Sequence, residues 1–275
     1  MQAVQAVLAQ FQYLNIVKKV YMSIIEFKIS KNLVNSLPHP EPAKKVVPDW
    51  YKRMPTIMDK PNNKKKLPWA RENFNRDPAR MQLTMKACVP ILDCITSGYI
   101  MKLPYDLLVT NSYTDDGKKM FSFDWNSSMD TSDFPEKIHT HSIDQIKNSP
   151  LESKATLNRI WKFNIPWRIH TKPGYSVYVT HPGYRYDLPF ETLPGVVDTD
   201  GHHEINYPFL WKSDEEQLIL KKGTPVAQIF PFKRIDWNHK ISEESSEEDI
   251  NYKINFASRL GFWYRDLVHK KKRYR

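Results

Sequence analysis

Apolar and polar positions alternate with the two-residue period of β-strands over most of the chain. Short runs of this kind, broken by Pro, Gly and Asp, cover Gly98 to Leu103, Leu107 to Thr110, Met120 to Trp125, Asn158 to Ile165, Arg168 to Ile169, Ser176 to Thr180, Gly195 to Val197, Glu204 to Trp211, Gln217 to Leu220 and Val226 to Pro231. Many short strands with frequent turn signals and no helical period between them predict a mainly β fold, an antiparallel sandwich or jelly-roll-like core. Helical spacing occurs only at the ends. Val4, Val7, Leu8, Phe11 and Leu14 predict a short N-terminal helix. Ile250, Ile254, Ala257, Gly261, Tyr264 and Val268 predict a C-terminal one, with Ser242 as N-cap, acids in its first turn and bases at its end. Ser-Ile-Ile-Glu-Phe-Lys-Ile after Met22 reads as a strand, and Met22 is an alternative start, which would leave residues 1–21 outside the domain.

Proline divides the chain further. Eight of its 20 prolines fall between Pro38 and Pro78, where missing N–H groups and extended predecessors argue against a helix or a central strand. That segment is expected to be an extended arm, pinned to the folded body through Val46, Val47, Trp50 and Tyr51. The domain organisation expected is therefore a helical extension (1–21), a strand with a Pro-rich basic arm (22–85), a β-rich core (86–235), and an acidic linker with a C-terminal helix and basic tail (236–275).

Charge changes this picture at its ends. The 275 residues carry a net charge of +10, yet residues 1–80 hold 15 basic and 6 acidic side chains and the last seven residues hold five basic and none acidic. The stretch between is mildly acidic, so a basic β-domain gripping nucleic acid with its face is not expected. Only the arm and the tail, including Lys64 to Lys66 and Lys270 to Arg273, are candidates for phosphate contacts, against the plainer reading of solvated charge. With 40% hydrophobic and 13% aromatic residues the chain can build a core. No run approaches the roughly 20 apolar residues of a membrane span, and the start lacks the basic region of a secretory leader. A protein that is neither secreted nor membrane-bound is expected.

Three segments carry the most specific chemistry: Thr171-Lys-Pro-Gly-Tyr-Ser-Val-Tyr, Leu193-Pro-Gly-Val-Val-Asp-Thr-Asp-Gly-His-His-Glu, and Leu220-Lys-Lys-Gly-Thr-Pro-Val-Ala-Gln-Ile-Phe-Pro-Phe. Their order resembles the core of the trimeric dUTPase and dCTP deaminase superfamily, over about 60 residues. The resemblance implies that Asp198 orients a water and holds a sugar hydroxyl, with Asp200 beside it and Gln228 on the phosphate side. It also implies Mg²⁺ as cofactor under that reading alone, and a trimer. Departures weigh against the activity: Gly201 stands where a sugar-stacking Tyr belongs, Thr180-His-Pro-Gly replaces the Arg-Ser-Gly phosphate turn, and no Gly-rich C-terminal arm follows. A wider similarity, from Pro38-His-Pro-Glu-Pro-Ala-Lys-Lys-Val-Val-Pro-Asp-Trp-Tyr-Lys through Lys86-Ala-Cys-Val-Pro-Ile-Leu-Asp-Cys to Gly223-Thr-Pro-Val-Ala-Gln-Ile-Phe-Pro-Phe-Lys-Arg, is to a family encoded mainly by tailed phages, notably marine ones, with bacterial relatives and no activity to transfer. It implies a phage-encoded protein of the host cytoplasm or the virion.

The remaining candidates are weaker. His139-Thr-His141 and His202-His-Glu204 have the ligand types of a metal site, but adjacent His202 and His203 would point opposite ways on a strand, and hydrogen-bonded histidines are the expectation. His203 is kept as a ligand-binding candidate, with Tyr175 and Arg185, because rings interleaved with Arg can stack bases or fill a core. Cys88 and Cys94 sit in an apolar run and are expected to be buried. The sequence thus favours a non-enzymatic accessory, assembly or binding protein without a cofactor, acting on a protein partner or a second copy of itself. A nucleotide-binding or nucleotide-hydrolysing protein is the alternative.

Overall fold

The computed structural model describes residues 23–59, 81–117, 119–125, 138–155, 159–258 and 264–274. The expected N-terminal helix, Met22, Lys64 to Lys66 and Gly261 lie outside these residues. Sixteen strands are found among the described residues, and every pair of neighbours among them is antiparallel. The fold is mainly β with a sandwich core, as the alternation predicts.

The central sheet runs β13–β11–β16–β5–β2, from Gly195–Val197 (β13), Tyr175–Thr180 (β11), Pro225–Lys233 (β16), Tyr99–Lys102 (β5) and Glu41–Pro42 (β2). A four-stranded sheet joins β12 (Phe190–Thr192), β14 (Asn206–Trp211), β9 (Arg159–Asn164) and β8 (Ile138–Ser142). A three-stranded sheet joins β15 (Gln217–Leu220), β6 (Leu107–Tyr113) and β7 (Lys119–Trp125), and β1 (Ile25–Lys28) pairs with β10 (Arg168–Thr171). The inward residues of all four meet in one core: Met101, Val177, Val179 and Ile229 from the central sheet, Phe163, Phe190, Tyr207 and Phe209 from the second, Leu107, Val109 and Phe121 from the third, Ile169 from the pair. Phe163 and Phe209 stack at 4.0 Å between centroids. Strict alternation produces this, since β14 buries Tyr207, Phe209 and Trp211 and leaves Asn206, Pro208 and Leu210 outward.

Several expectations need correction. The run after Cys88 is an α-helix, α2 (Val89–Thr96), begun by Pro90 in its first turn. The arm also contains a one-turn helix, α1 (Asp49–Arg53), because Pro48 at its N-cap needs no N–H there. A further short pair joins β3 (Ile57–Asp59) to β4 (Met81–Leu83). The arm is nonetheless pinned: β2 pairs with β5, Ala43 N–H donates to Gly98 O at 3.0 Å, and Tyr51 is buried. Cys94 is exposed rather than buried, although partial covering by its neighbours raises its thiol pKa. The C-terminal helix α3 (Ser246–Ser258) is capped by Ser245, not Ser242: Ser245 Oγ accepts from Glu248 N–H while Glu248 Oε2 accepts from Ser245 N–H at 2.9 Å, a reciprocal capping box. The expected bases at the end of that helix are not there, since its last turn holds none, and the basic tail is used elsewhere. After a π-turn at Tyr264–Val268 it returns to α2, where His269 meets Asp93 at 3.0 Å and Lys272 pairs with the same carboxylate.

Candidate functional site

Asp198 and Asp200 sit in the turn after β13 and are brought together by Arg234, the residue after β16. Arg234 Nη1 donates to Asp200 Oδ1 at 3.0 Å and lies 3.2 Å from Asp198 Oδ1, while Nη2 pairs with Asp200 Oδ2. Gly174 N–H adds a bond to Asp200 Oδ2 at 2.9 Å, and Ser176 Oγ donates to Asp198 Oδ1 at 2.6 Å. The Arg234 guanidinium, helped by the Gly174 amide, holds the Asp200 carboxyl at about 2, well below its ordinary 3.8. Asp200 is therefore an anion fastened between the β10–β11 turn and the end of β16. Asp198 is the opener of the two, its side chain 68% exposed against 16% for Asp200. The Tyr175 carbonyl also accepts from Arg234, at 3.2 Å.

Gln228 lies elsewhere. It stands opposite Thr180, four residues along β11 from Ser176, which is about 13 Å at the rise of a strand. It is fully buried and its amide is engaged on both sides: Nε2 donates to Cys94 O at 2.8 Å and Ser97 O at 2.5 Å, and Oε1 accepts from Gly183 N–H at 2.7 Å. This clamps the end of α2 and the turn after β11 onto the central sheet. Gly183 permits it, because a Cβ there would come within 3.1 Å of Cys94 O and Sγ. Gly98 is required more strictly, with φ +71° and a Cβ position 2.3 Å from Ile229 O. Arg185 belongs to the same turn and bonds Asp187 at 2.9 Å, with its carbonyl taken by His181 Nε2. Apart from His203, the sequence candidates thus form two clusters at opposite ends of β11, and Asp198 keeps a substantially open group.

His203 belongs to a third place. A cleft of about 1050 Å³ opens where the outer faces of two sheets meet. On β1 and β10, Ile25 and Ile169 are buried, which turns Lys28, Arg168 and His170 outward. On β8 and β9, His139 stands opposite Lys162, on the face away from Phe163. The turn at residues 201–206 closes the cleft with His202 and His203, so the two histidine motifs of the sequence do share one cavity. Among the described residues no three His, Cys, Asp or Glu side chains converge to hold a metal ion. The sequence pattern ends this strand at Ile169, whereas it runs to Thr171 and so includes His170. Two more residues of alternation would have placed it beside Arg168.

His170 and His203 stack at 3.7 Å and 28°. His203 Nδ1 faces two carbonyls, Thr199 O at 3.0 Å and Ile169 O at 3.3 Å, so that nitrogen carries a hydrogen. Burial first, then the neighbouring His203 and Lys28, push the His170 pKa below its ordinary value. No protein-family model matches the chain, and a search of curated proteins finds no match. What fold and geometry define is an antiparallel β-sandwich protein with a fastened carboxylate turn and a separate basic, imidazole-lined cleft. No helix among the described residues is long and apolar enough to cross a membrane.

Proposed function

We propose that the chain is a non-enzymatic accessory or assembly protein, of the tailed-phage kind its motifs resemble, that works by binding in the host cytoplasm or the virion. The observation that carries this reading is the engagement of the candidate ligand-binding groups that would serve Asp198: Asp200 is fastened by Arg234 and Gly174, and Gln228 spends its amide on three backbone groups. Neither is left to position a triphosphate, and in-line attack depends on such positioning. The C-terminal extension supports the same reading, because Trp237 and Ile241 are 80% and 91% exposed and Ile250 and Ile254 form an uncovered stripe on α3. We take its partner to be a second copy of the chain, because the acidic run Glu243 to Asp249 complements the basic arm and tail in which the +10 net charge is concentrated.

The hydrolytic alternative, with Mg²⁺ as its cofactor, retains one favourable observation, the open carboxylate of Asp198. Incubation with the four deoxynucleoside triphosphates and dUTP, read by pyrophosphate release, separates the two. We expect no release above background. Release that Asp198→Asn abolishes would overturn the non-enzymatic reading.

A further inference from the structure

We propose that the cleft between β1–β10 and β8–β9 is a binding site for phosphate groups, carried either by a free nucleotide or by a nucleic-acid strand. This rests on the reading of the chain as a binding protein and names the ligand class. Its walls present three permanent cations, Lys28, Lys162 and Arg168, against one lining carboxylate, Glu204. The register sets Lys28 opposite Arg168, so two of those cations share one rung of a strand pair. Lys162 has no ion pair among the described residues. Arg168 is paired with Glu204 at 2.8 Å and Lys28 with Glu26 at 3.2 Å, but all four side chains are more than half exposed. Such pairs contribute little and exchange readily, so a phosphate can take the place of either carboxylate. The volume is large for one phosphate and suits a ligand with several.

The stacked imidazoles add a proton to the same event. Protonation of His170 is opposed by burial, by His203, by Lys28 and by Arg168, and favoured only by Glu26. A bound phosphate supplies the missing negative charge, so it draws a proton onto the pair. Tighter binding at lower pH follows, because more of the free protein already holds that proton. Counterion release adds a salt dependence that is steeper for a strand than for a nucleotide.

The test is binding to the full chain of three probes: inorganic pyrophosphate, dATP and an oligothymidylate of about 15 nucleotides. Each is titrated at about pH 5.5 and about pH 7.5, at low and at moderate salt. We expect at least one probe to bind about tenfold more tightly at the lower pH. Lys162→Ala with Arg168→Ala should weaken it about tenfold or more at both pH values. His170→Gln should flatten the pH dependence. Preference for the oligothymidylate would assign the strand, and preference for dATP or pyrophosphate the free nucleotide. Lack of binding by all three probes at both pH values would overturn the proposal. So would binding lost on Lys270→Ala with Lys271→Ala in the tail but indifferent to the cleft variants. Turnover of dATP that Asp198→Asn stops would sink the non-enzymatic reading and leave the cleft to be judged by its own variants.

Discussion

Gln228 and Arg234 hang from the same strand, β16, and fasten it by opposite means. Gln228 is neutral, buried, and bonded to three backbone groups of segments that would otherwise have no partner for them. Arg234 is charged, 39% exposed, and bonded to carboxylates that water could also serve. The charged cluster has more contacts, yet the neutral one should weigh more in stability. Water replaces a lost bond at the open end but not at the closed one, where each orphaned group keeps its full desolvation cost.

The largest expected effect is therefore at Gln228. Gln228→Leu keeps a side chain of similar bulk but leaves Gly183 N–H, Cys94 C=O and Ser97 C=O without their partner. At roughly 1–3 kcal/mol for each buried orphan, a loss of about 3 kcal/mol or more is expected in denaturant unfolding. A loss below about 1 kcal/mol would mean that α2 and the turn at Gly183 are not held through this amide.

The open end should respond to pH instead. Asp200 has its folded pKa lowered from 3.8 to about 2, so its contribution is fully present above about pH 4 and disappears as the pH falls through about 2. Asp200→Asn should lower the melting temperature at neutral pH by less than Gln228→Leu does. The gap to the parent protein should stay level down to about pH 4 and close by about pH 2. A gap that does not change with pH would remove Arg234 as its cause.

This contrast was only partly legible in the sequence. Alternation alone locates most strands of the core, because one face of each is packed and the other is not. It fails where the period is too short to read: Phe190–Thr192 has three residues, and the eight of Val89–Thr96 form an apolar run that suits a buried strand as well as a helix. Asp198 and Asp200 stand out as a motif, and their turn is real. Gln228 is equally conspicuous in its Val-Ala-Gln run, but its partners lie 45 residues away at Gly183 and 131 and 134 residues away at Ser97 and Cys94. Their approach depends on the order of strands in the sheet, which local pattern does not carry. The cleft has the same origin. His139 and His203 come together through β8–β9 and β9–β14 pairing, and neither motif alone reveals the other.

Tyr207 completes the comparison as a polar group that is buried and has no partner among the described residues. Its hydroxyl, on β14 opposite Phe163, makes no hydrogen bond among the described residues, and burial pushes its phenol pKa well above the ordinary 10. Gln228 repays its burial with bonds and Arg234 avoids the cost by staying wet, whereas Tyr207 does neither. Tyr207→Phe removes only the oxygen and keeps the ring among Phe163, Phe190 and Phe209. Relief of desolvation should outweigh the small void left behind, so stability is expected to be unchanged or to rise by about 1 kcal/mol. Chemical denaturation of both proteins measures it. A loss of more than about 1 kcal/mol would show that the hydroxyl is satisfied by a buried water, and would place Tyr207 with Gln228 as a clamp.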